Sequence, residues 1–248
     1  MRSFIIHMPT DVSRAPNVQK LLAGLPEAEV VTAVNGRDEL AAGRVRTRPG
    51  DLHTPAYPFA LSPGEVGCFL SHRACWQRIV ADNLDYALIG EDDLALDPEL
   101  WPHVQTLIET HATPQDVIRI PARDREKPVH VRATSGPAQL FLPRVIGLQT
   151  VCQVVGRDAA ARLLAASEII DRPVDTFLQM HWITGQPVHT ILPSGMRELT
   201  RELGGSTIQK KTRAGSKPAR EIKRAIYRAQ VALRPQKPDQ AGSFVVRR

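Results

Sequence analysis

Aromatic residues make up only 5% of this 248-residue chain, cysteines number three, and no apolar stretch approaches the roughly 20 residues that a membrane span needs. Each shortage removes a class of protein. Cys68, Cys75 and Cys152 are odd in number and lack metal-ligand spacing, so a disulfide framework and a zinc module are both excluded. Cys68 and Cys75 lie seven apart in a helical segment and read as packed thiols, which fits a reducing, cytoplasmic compartment. The N-terminus is broken too early by Pro9 for a signal peptide and reads as a buried strand over residues 4–6. Internal repeats are absent as well.

Hydrophobic residues, at 42%, suffice for a core in one large domain or in one domain with an appendage. The net charge of +6 hides an asymmetry. Residues 209–248 carry 12 Lys/Arg against two acids, Glu221 and Asp239, which leaves residues 1–208 mildly acidic. The chain therefore divides into a body over 1–209 and a basic tail over 210–248. Within the tail, residues 218–233 have helix composition, with Ile222, Ile226, Ala229 and Leu233 on one stripe among basic residues. Such a helix suits an anionic membrane surface, at roughly 1 kcal/mol per nearby Lys or Arg, or it docks on the body with its charges in water. Nucleic acid fits worse, because Tyr227 and Phe244 are the tail's only aromatics.

Along the body, strand-like runs at 4–6, 30–34, 86–89, 117–120, 148–155 and 188–192 alternate with helical runs at 16–24, 63–81, 98–111, 158–166 and 173–184. That alternation predicts an α/β fold with a mostly parallel sheet flanked by helices. The helix over 63–81 is the best specified. Ser62 and Glu65 form a capping box around Pro63 at the first helical position. Residues 121–147 are rich in Pro and basic side chains and read as a long surface excursion, a lid or acceptor-binding loop or else a mobile insertion.

The run Tyr86-Ala-Leu-Ile-Gly-Glu-Asp-Asp93 ends an apolar strand in three carboxylates, Glu91, Asp92 and Asp93. Adjacent like charges repel and call for a counter-ion, which a hard divalent cation bridging to phosphates supplies. A solvated turn leading to the Asp97-Pro98 helix start is the plainer alternative.

Leu61-Ser-Pro-Gly-Glu-Val-Gly-Cys-Phe-Leu-Ser-His72, Trp76 and Ala87-Leu-Ile-Gly-Glu-Asp-Asp93 together resemble glycosyltransferase family 25, which includes bacterial lipooligosaccharide and lipopolysaccharide glycosyltransferases. Ala33-Val-Asn-Gly36, Val154-Val-Gly-Arg-Asp158, Arg172-Pro-Val-Asp175 and Ser206-Thr-Ile208 follow in the family's order, so the resemblance covers about residues 3–209. Two departures stand out. Gly90 replaces a large apolar residue, and the first loop lacks the family's Asn-Leu wording although Arg14 is in place.

The resemblance implies a GT-A-like fold, a nucleotide-sugar donor and transfer with inversion. Asp93 and Glu91 would bind Mn²⁺ or Mg²⁺, and Glu91, Asp92, Arg14 and Asn35 would contact the cofactor or the UDP-sugar. Asp175 would take the acceptor hydroxyl's proton, or serve only the dipole of the helix that it starts. His181 and His189 are further candidate metal or phosphate contacts. The implied partners are a UDP-sugar, with galactose favoured, and a cell-envelope glycan or glycolipid acceptor at the inner face of the cytoplasmic membrane. Two other classes compete: a phosphohydrolase using the same carboxylates, and a non-enzymatic adaptor driven by the tail.

Overall fold

A computed structural model describes residues 1–123, 125–200, 202–203 and 217–241. Ser206-Thr-Ile208, the polar start of the tail and its last residues lie outside the described set.

The first half of the chain builds β1 (Arg2–His7), α1 (Ala15–Gly24), β2 (Ala28–Thr32), α2 (Gly36–Ala41), α3 (Pro63–Ala81) and β3 (Tyr86–Glu91). There follow β4 (Leu94–Leu96), α4 (Trp101–His111), β5 (Val117–Arg119), β6 (Pro128–Ser135), β7 (Ala138–Pro143) and β8 (Cys152–Gly156). The chain continues through α5 (Arg157–Ala166), α6 (Val174–Leu178), α7 (His181–Thr184), β9 (Val188–Leu192), β10 (Met196–Glu198) and α8 (Lys217–Ala232).

Eight strands form one sheet in the order β2-β1-β3-β8-β5-β9-β7-β6, and β10 pairs with β4 in a small second sheet. Pairing is parallel for β1–β2, β1–β3 and β5–β9, while β8 runs against β3 and β5 and β7 runs against its neighbours. The result is the mostly parallel, helix-flanked sheet expected from the alternation, with two reversed strands.

Successive residues of a strand face opposite sides, which explains why the central strands are apolar throughout. Phe4, Ile89, Val117 and Val155 pack under α3, α5 and α6 with Phe69, Trp76, Leu163 and Phe177. Ile5, Leu88, Ile118 and Val154 pack under α1 and α4 with Leu21, Val104 and Ile108. Each of these eight strand residues is fully buried.

The capping box is present: Ser62 Oγ accepts from the Glu65 N–H at 3.2 Å, and Glu65 accepts from the Ser62 N–H at 2.7 Å. Gly67 lets this helix start lie against the turn after β2, where a Cβ would come within 2.5 Å of the Val34 carbonyl oxygen.

Several expectations need correction. The excursion over 121–147 contains the β6–β7 hairpin. Pro128 and Pro143 end its strands and Gly136, at φ +52°, turns it, so the prolines that suggested a loop in fact bound the strands. Residues 148–151 are not strand, and the run over 173–184 is two short helices broken at Gln179 and Met180. Gly90 is compensated: a Cβ there would press Leu94 at 3.1 Å, so the space that a larger residue would take is already filled.

The tail helix docks. Tyr227 and Val231 are buried, and the Tyr227 hydroxyl accepts from the buried Arg172 guanidinium at 3.3 Å. Beyond the helix, Gln236 bonds Pro143 and both backbone groups of Val188. The predicted stripe faces the other way, with Ile222 60%, Ile226 54% and Leu233 80% exposed. Among the described residues no helix is long and apolar enough to cross a membrane.

Candidate active site at the end of the third strand

The sheet's topology carries β3 to its C-terminal edge, where open α/β sheets bind ligands. There Glu91 closes the strand while Asp92 and Asp93 turn into β4. The three carboxylates do not share one environment.

Asp92 is enclosed. The His7 Nδ1–H donates to its Oδ2 at 2.7 Å, and Arg14 donates to its Oδ1 at 2.5 Å. The Asn17 amide holds the Asp92 and Leu94 carbonyls at 2.8 and 2.9 Å. The residue is 6% exposed and fixes the turn. Removing one partner of such a buried ion pair typically costs 3–5 kcal/mol, so Arg14 and Asp92 stabilise the site whatever else they touch.

Asp93 is buried between Arg14 at 3.3 Å and the Thr200 hydroxyl, which donates to its Oδ2 at 2.7 Å. Its Oδ1 is buried without a hydrogen-bond partner among the described residues. Burial, then the neighbouring Glu91 charge, pushes the Asp93 carboxyl above the usual carboxylate range. A cation at its free oxygen would reverse that shift.

Glu91 is half-buried and faces α3. Its Oε1 lies 3.6 Å from His72 Nε2 and accepts from the Thr150 hydroxyl at 3.4 Å. Ligand atoms of Cys68, His72 and Glu91 all fall within 4.8 Å of one another. His72 is fully buried, its Nδ1 is 3.0 Å from the Gln153 amide, and its Nε2 has no hydrogen-bond partner among the described residues. Burial and Glu91 together push the Cys68 thiol well up.

Fit for a divalent cation can be tested on these atoms. Two buried polar atoms, Asp93 Oδ1 and His72 Nε2, lack partners beside the half-buried Glu91, and this donor set suits a divalent ion. Carboxylate oxygens suit Mn²⁺ and Mg²⁺ alike, the nearby imidazole shifts the set away from Mg²⁺, and the Cys68 thiol, pushed up by burial, stays protonated and adds no thiolate. Of the two expected ligands, Glu91 belongs to the converging group, whereas Asp93 does not, although its Oδ1 has no hydrogen-bond partner among the described residues.

Arg14, Asn35, Glu91 and Asp92 line one cavity of about 340 Å³, together with Gly36, Gly67 and His72. Asn35 caps α2 by accepting the Arg37 N–H at 3.1 Å. The structure thus gathers four of the predicted contacts at one opening.

Asp175 lies across the segment 149–151. Its Oδ2 accepts the Gln149 N–H at 3.2 Å and its Oδ1 the Thr176 N–H at 2.7 Å. Burial raises its pKa against those two donors. Gln149 holds φ at +80°, a conformation rare outside glycine, and the next residue reaches Glu91. Strain of this kind concentrates at functional sites.

The two histidine candidates lie elsewhere. His181 Nε2 meets the Arg234 carbonyl at 3.0 Å, which places it at the tail junction. His189 is buried 3.7 Å from Asp116, at the opposite edge of the sheet from Glu91, because both begin parallel strands. Neither contacts the triplet, and their role as metal or phosphate contacts is withdrawn. His7 and the His72–Glu91 contact were not expected. His7 ends β1, which pairs directly with β3, so sheet order was the missing signal.

A profile of glycosyltransferase family 25 (LPS biosynthesis protein) matches residues 1–178. A cattle protein named "Probable inactive glycosyltransferase 25 family member 3" is 33% identical over 178 residues, 64% of this chain and 28% of its own length. Zebrafish procollagen galactosyltransferase 1 is 28% identical over 177 residues, 66% of this chain and 29% of its own. The chain thus spans less than a third of these relatives. Among solved structures, a Drosophila beta-1,4-galactosyltransferase 7 mutant in complex with manganese, UDP-Gal and xylobiose aligns at a TM-score of 0.42 and 10% identity, covering 90% of this chain and 79% of that one. With the motif helix, the acidic strand end and the matched profile in agreement, the chain belongs to glycosyltransferase family 25.

Proposed function

We propose that the chain is a metal-dependent glycosyltransferase that moves a hexosyl group, galactose first among candidates, from a UDP-sugar to a cell-envelope glycan with inversion. The observation that carries this reading is the cavity in which Glu91 and Asp92 meet Asn35, Arg14 and His72 at the C-terminal edge of the sheet. Galactose rests on the zebrafish relative's name.

The chemistry divides among the residues as follows. Asn35, Gly36 and Gly67 line the cavity where the start of α3 packs closely on the turn after β2, and the nucleotide would lie along that turn. Glu91 and His72, with Asp93 beside them, would hold a divalent ion, which when bound offsets charge developing on the diphosphate. The acceptor oxygen attacks the anomeric carbon as the bond to the diphosphate breaks, and Asp175 takes the acceptor's proton. A base needs a pKa near the working pH, and the upward shift at Asp175 moves it in that direction. The acid limb of kcat should then lie above the ordinary carboxylate range near 4 and vanish in Asp175→Asn.

The exposed Ile222, Ile226 and Leu233, set among the basic residues of α8, support peripheral binding to an anionic membrane at its cytoplasmic face. Vesicle binding that falls with salt tests this.

One specific observation favours a second reading. The cattle relative is named as probably inactive, so a protein that binds donor without transferring is the alternative. Incubation with UDP-galactose, Mn²⁺ and a glycan acceptor separates the two. UDP release coupled to acceptor extension supports transfer. Donor binding without release supports the inactive reading, and turnover of simple phosphoesters instead would overturn both.

A further inference from the structure

A second cavity, about 540 Å³, is lined in part by Gly147, Leu148 and Gln149, next to the Thr150 that reaches Glu91. The sequence gives no motif for it, because its walls come from five separate stretches of the chain. Tyr57 and Phe59 form one side, Tyr227 and Arg228 of α8 another, and Arg125 and Gln149 the rest. Its volume falls within the range of small-ligand sites.

Two features of this wall are unusual. First, the aromatics are concentrated. The chain has only three Tyr, and two of them, Tyr57 and Tyr227, meet edge to face here at 5.6 Å, with Phe59 at 5.6 Å from Tyr57. Aromatic faces cover the apolar CH surfaces of sugar rings while leaving hydroxyls free to bond. Second, the charge is one-sided. Five arginines line the cavity against one acid, Glu126. Arg119 is spent on Glu126 and on the carbonyls of Leu148 and Gln149. Arg224 pairs with Glu221 and stacks over Phe59, and Arg123 lies 3.4 Å from Glu198. Arg125 and Arg228 have no ion-pair partner among the described residues, and both are exposed to the opening. Unspent guanidinium forks match the geometry of phosphate and carboxylate oxygens.

The position matters as much as the lining. Gln149 belongs to this wall, and its N–H bonds Asp175. Thr150, next in the chain, bonds Glu91 in the first cavity. A saccharide held here would therefore lie against Gln149 and Thr176, the two residues whose N–H groups bond the candidate base.

We propose that this cavity is the acceptor subsite, that it takes a saccharide bearing an anionic substituent, a phosphate or a carboxylate, and that α8 is part of it rather than a detachable tether. The inference rests on the glycosyltransferase reading of the first cavity and specifies what its acceptor must carry.

The test is a binding titration on the full chain with the first cavity filled by UDP and Mn²⁺. Three probes are compared: a neutral oligosaccharide, the same oligosaccharide with a phosphomonoester, and one with a uronic acid. Either anionic probe should bind about tenfold or more tightly than the neutral one, and which of them does so identifies the substituent. Arg125→Ala with Arg228→Ala should erase that preference. So should the single reversal Arg228→Glu at an exposed position, which guards against misfolding of the double variant. Thermal stabilisation by UDP and Mn²⁺ should be unchanged in both variants. Equal binding of all three probes, or a preference that survives both variants, overturns the proposal. Loss of UDP stabilisation in the wild-type chain would instead strike at the first cavity, so the two failures are distinguishable.

Discussion

The two cavities are built in opposite ways. The donor-side cavity sets Asp11, Glu91 and Asp92 against Arg14 and Arg37 and is assembled from strand ends, the turns after β1 and β2 and one face of α3 between residues 6 and 92. The other is basic and aromatic, assembled from loops, α6 and the tail between residues 57 and 231. The first holds its groups rigidly: Asp92 is clamped by His7, Arg14 and Asn17, and the capping box fixes the start of α3. The second leaves Arg125 and Arg228 without an ion-pair partner among the described residues. A preorganised acidic edge suits a cation and a diphosphate, whose chemistry is constant. An adaptable basic wall suits an acceptor selected by its own charge.

The comparison can be broken at either side. The largest effect is expected from Asp93→Asn, which removes a candidate ligand while keeping its shape. Transfer should fall about 100-fold or more with UDP-galactose and Mn²⁺, read as kcat/KM. On the other side, Arg125→Ala with Arg228→Ala should raise KM for an anionic acceptor about tenfold and leave the KM for donor within twofold. If the double variant loses kcat and spares acceptor KM, the two cavities do not divide the work as described.

Stability measurements sharpen the rigid side. Gly67→Ala drives a methyl into the Val34 carbonyl, so urea unfolding should show a loss of about 1–3 kcal/mol. Acid stability must be separated from acid loss of activity. Burial lowers the His189 pKa to about 4, so the folded state favours the neutral ring. That contribution is complete above the unfolded value near 6.5 and is lost as pH falls from there toward 4. His189→Gln should flatten that part of the stability profile. The smallest effect belongs to Ser62→Ala, about 1 kcal/mol from the lost cap.

Legibility in the sequence follows the same division. The acidic strand end, the capped helix and Asn35 were readable because each is a local pattern of a few residues. Cys68 and His72 were read as part of the motif helix, but their approach to Glu91, like that of His7 to Asp92, carried no local signal; it arises because β1 lies beside β3 and α3 packs against it. The hairpin over 128–143 was hidden by prolines that bound its strands, and β8 by a direction that periodicity does not encode. The stripe on α8 was read correctly as amphipathic, but its apolar residues face out while Tyr227 and Val231 face in. A composition count registers two apolar faces as one. The basic cavity was invisible because it joins residue 57 to residue 228, and only folding brings those together.

The most direct test of the central claim is thermal stabilisation by UDP-galactose with and without Mn²⁺, in the wild-type chain and in Glu91→Gln. Ligands that bind the folded state raise its stability, by about 2.7 kcal/mol at 100 times Kd. The account predicts a clear rise in Tm with donor and metal together, little with either alone, and loss of the joint effect in Glu91→Gln. An equal rise in the variant, or none in the wild-type chain with both ligands at millimolar concentration, would contradict it.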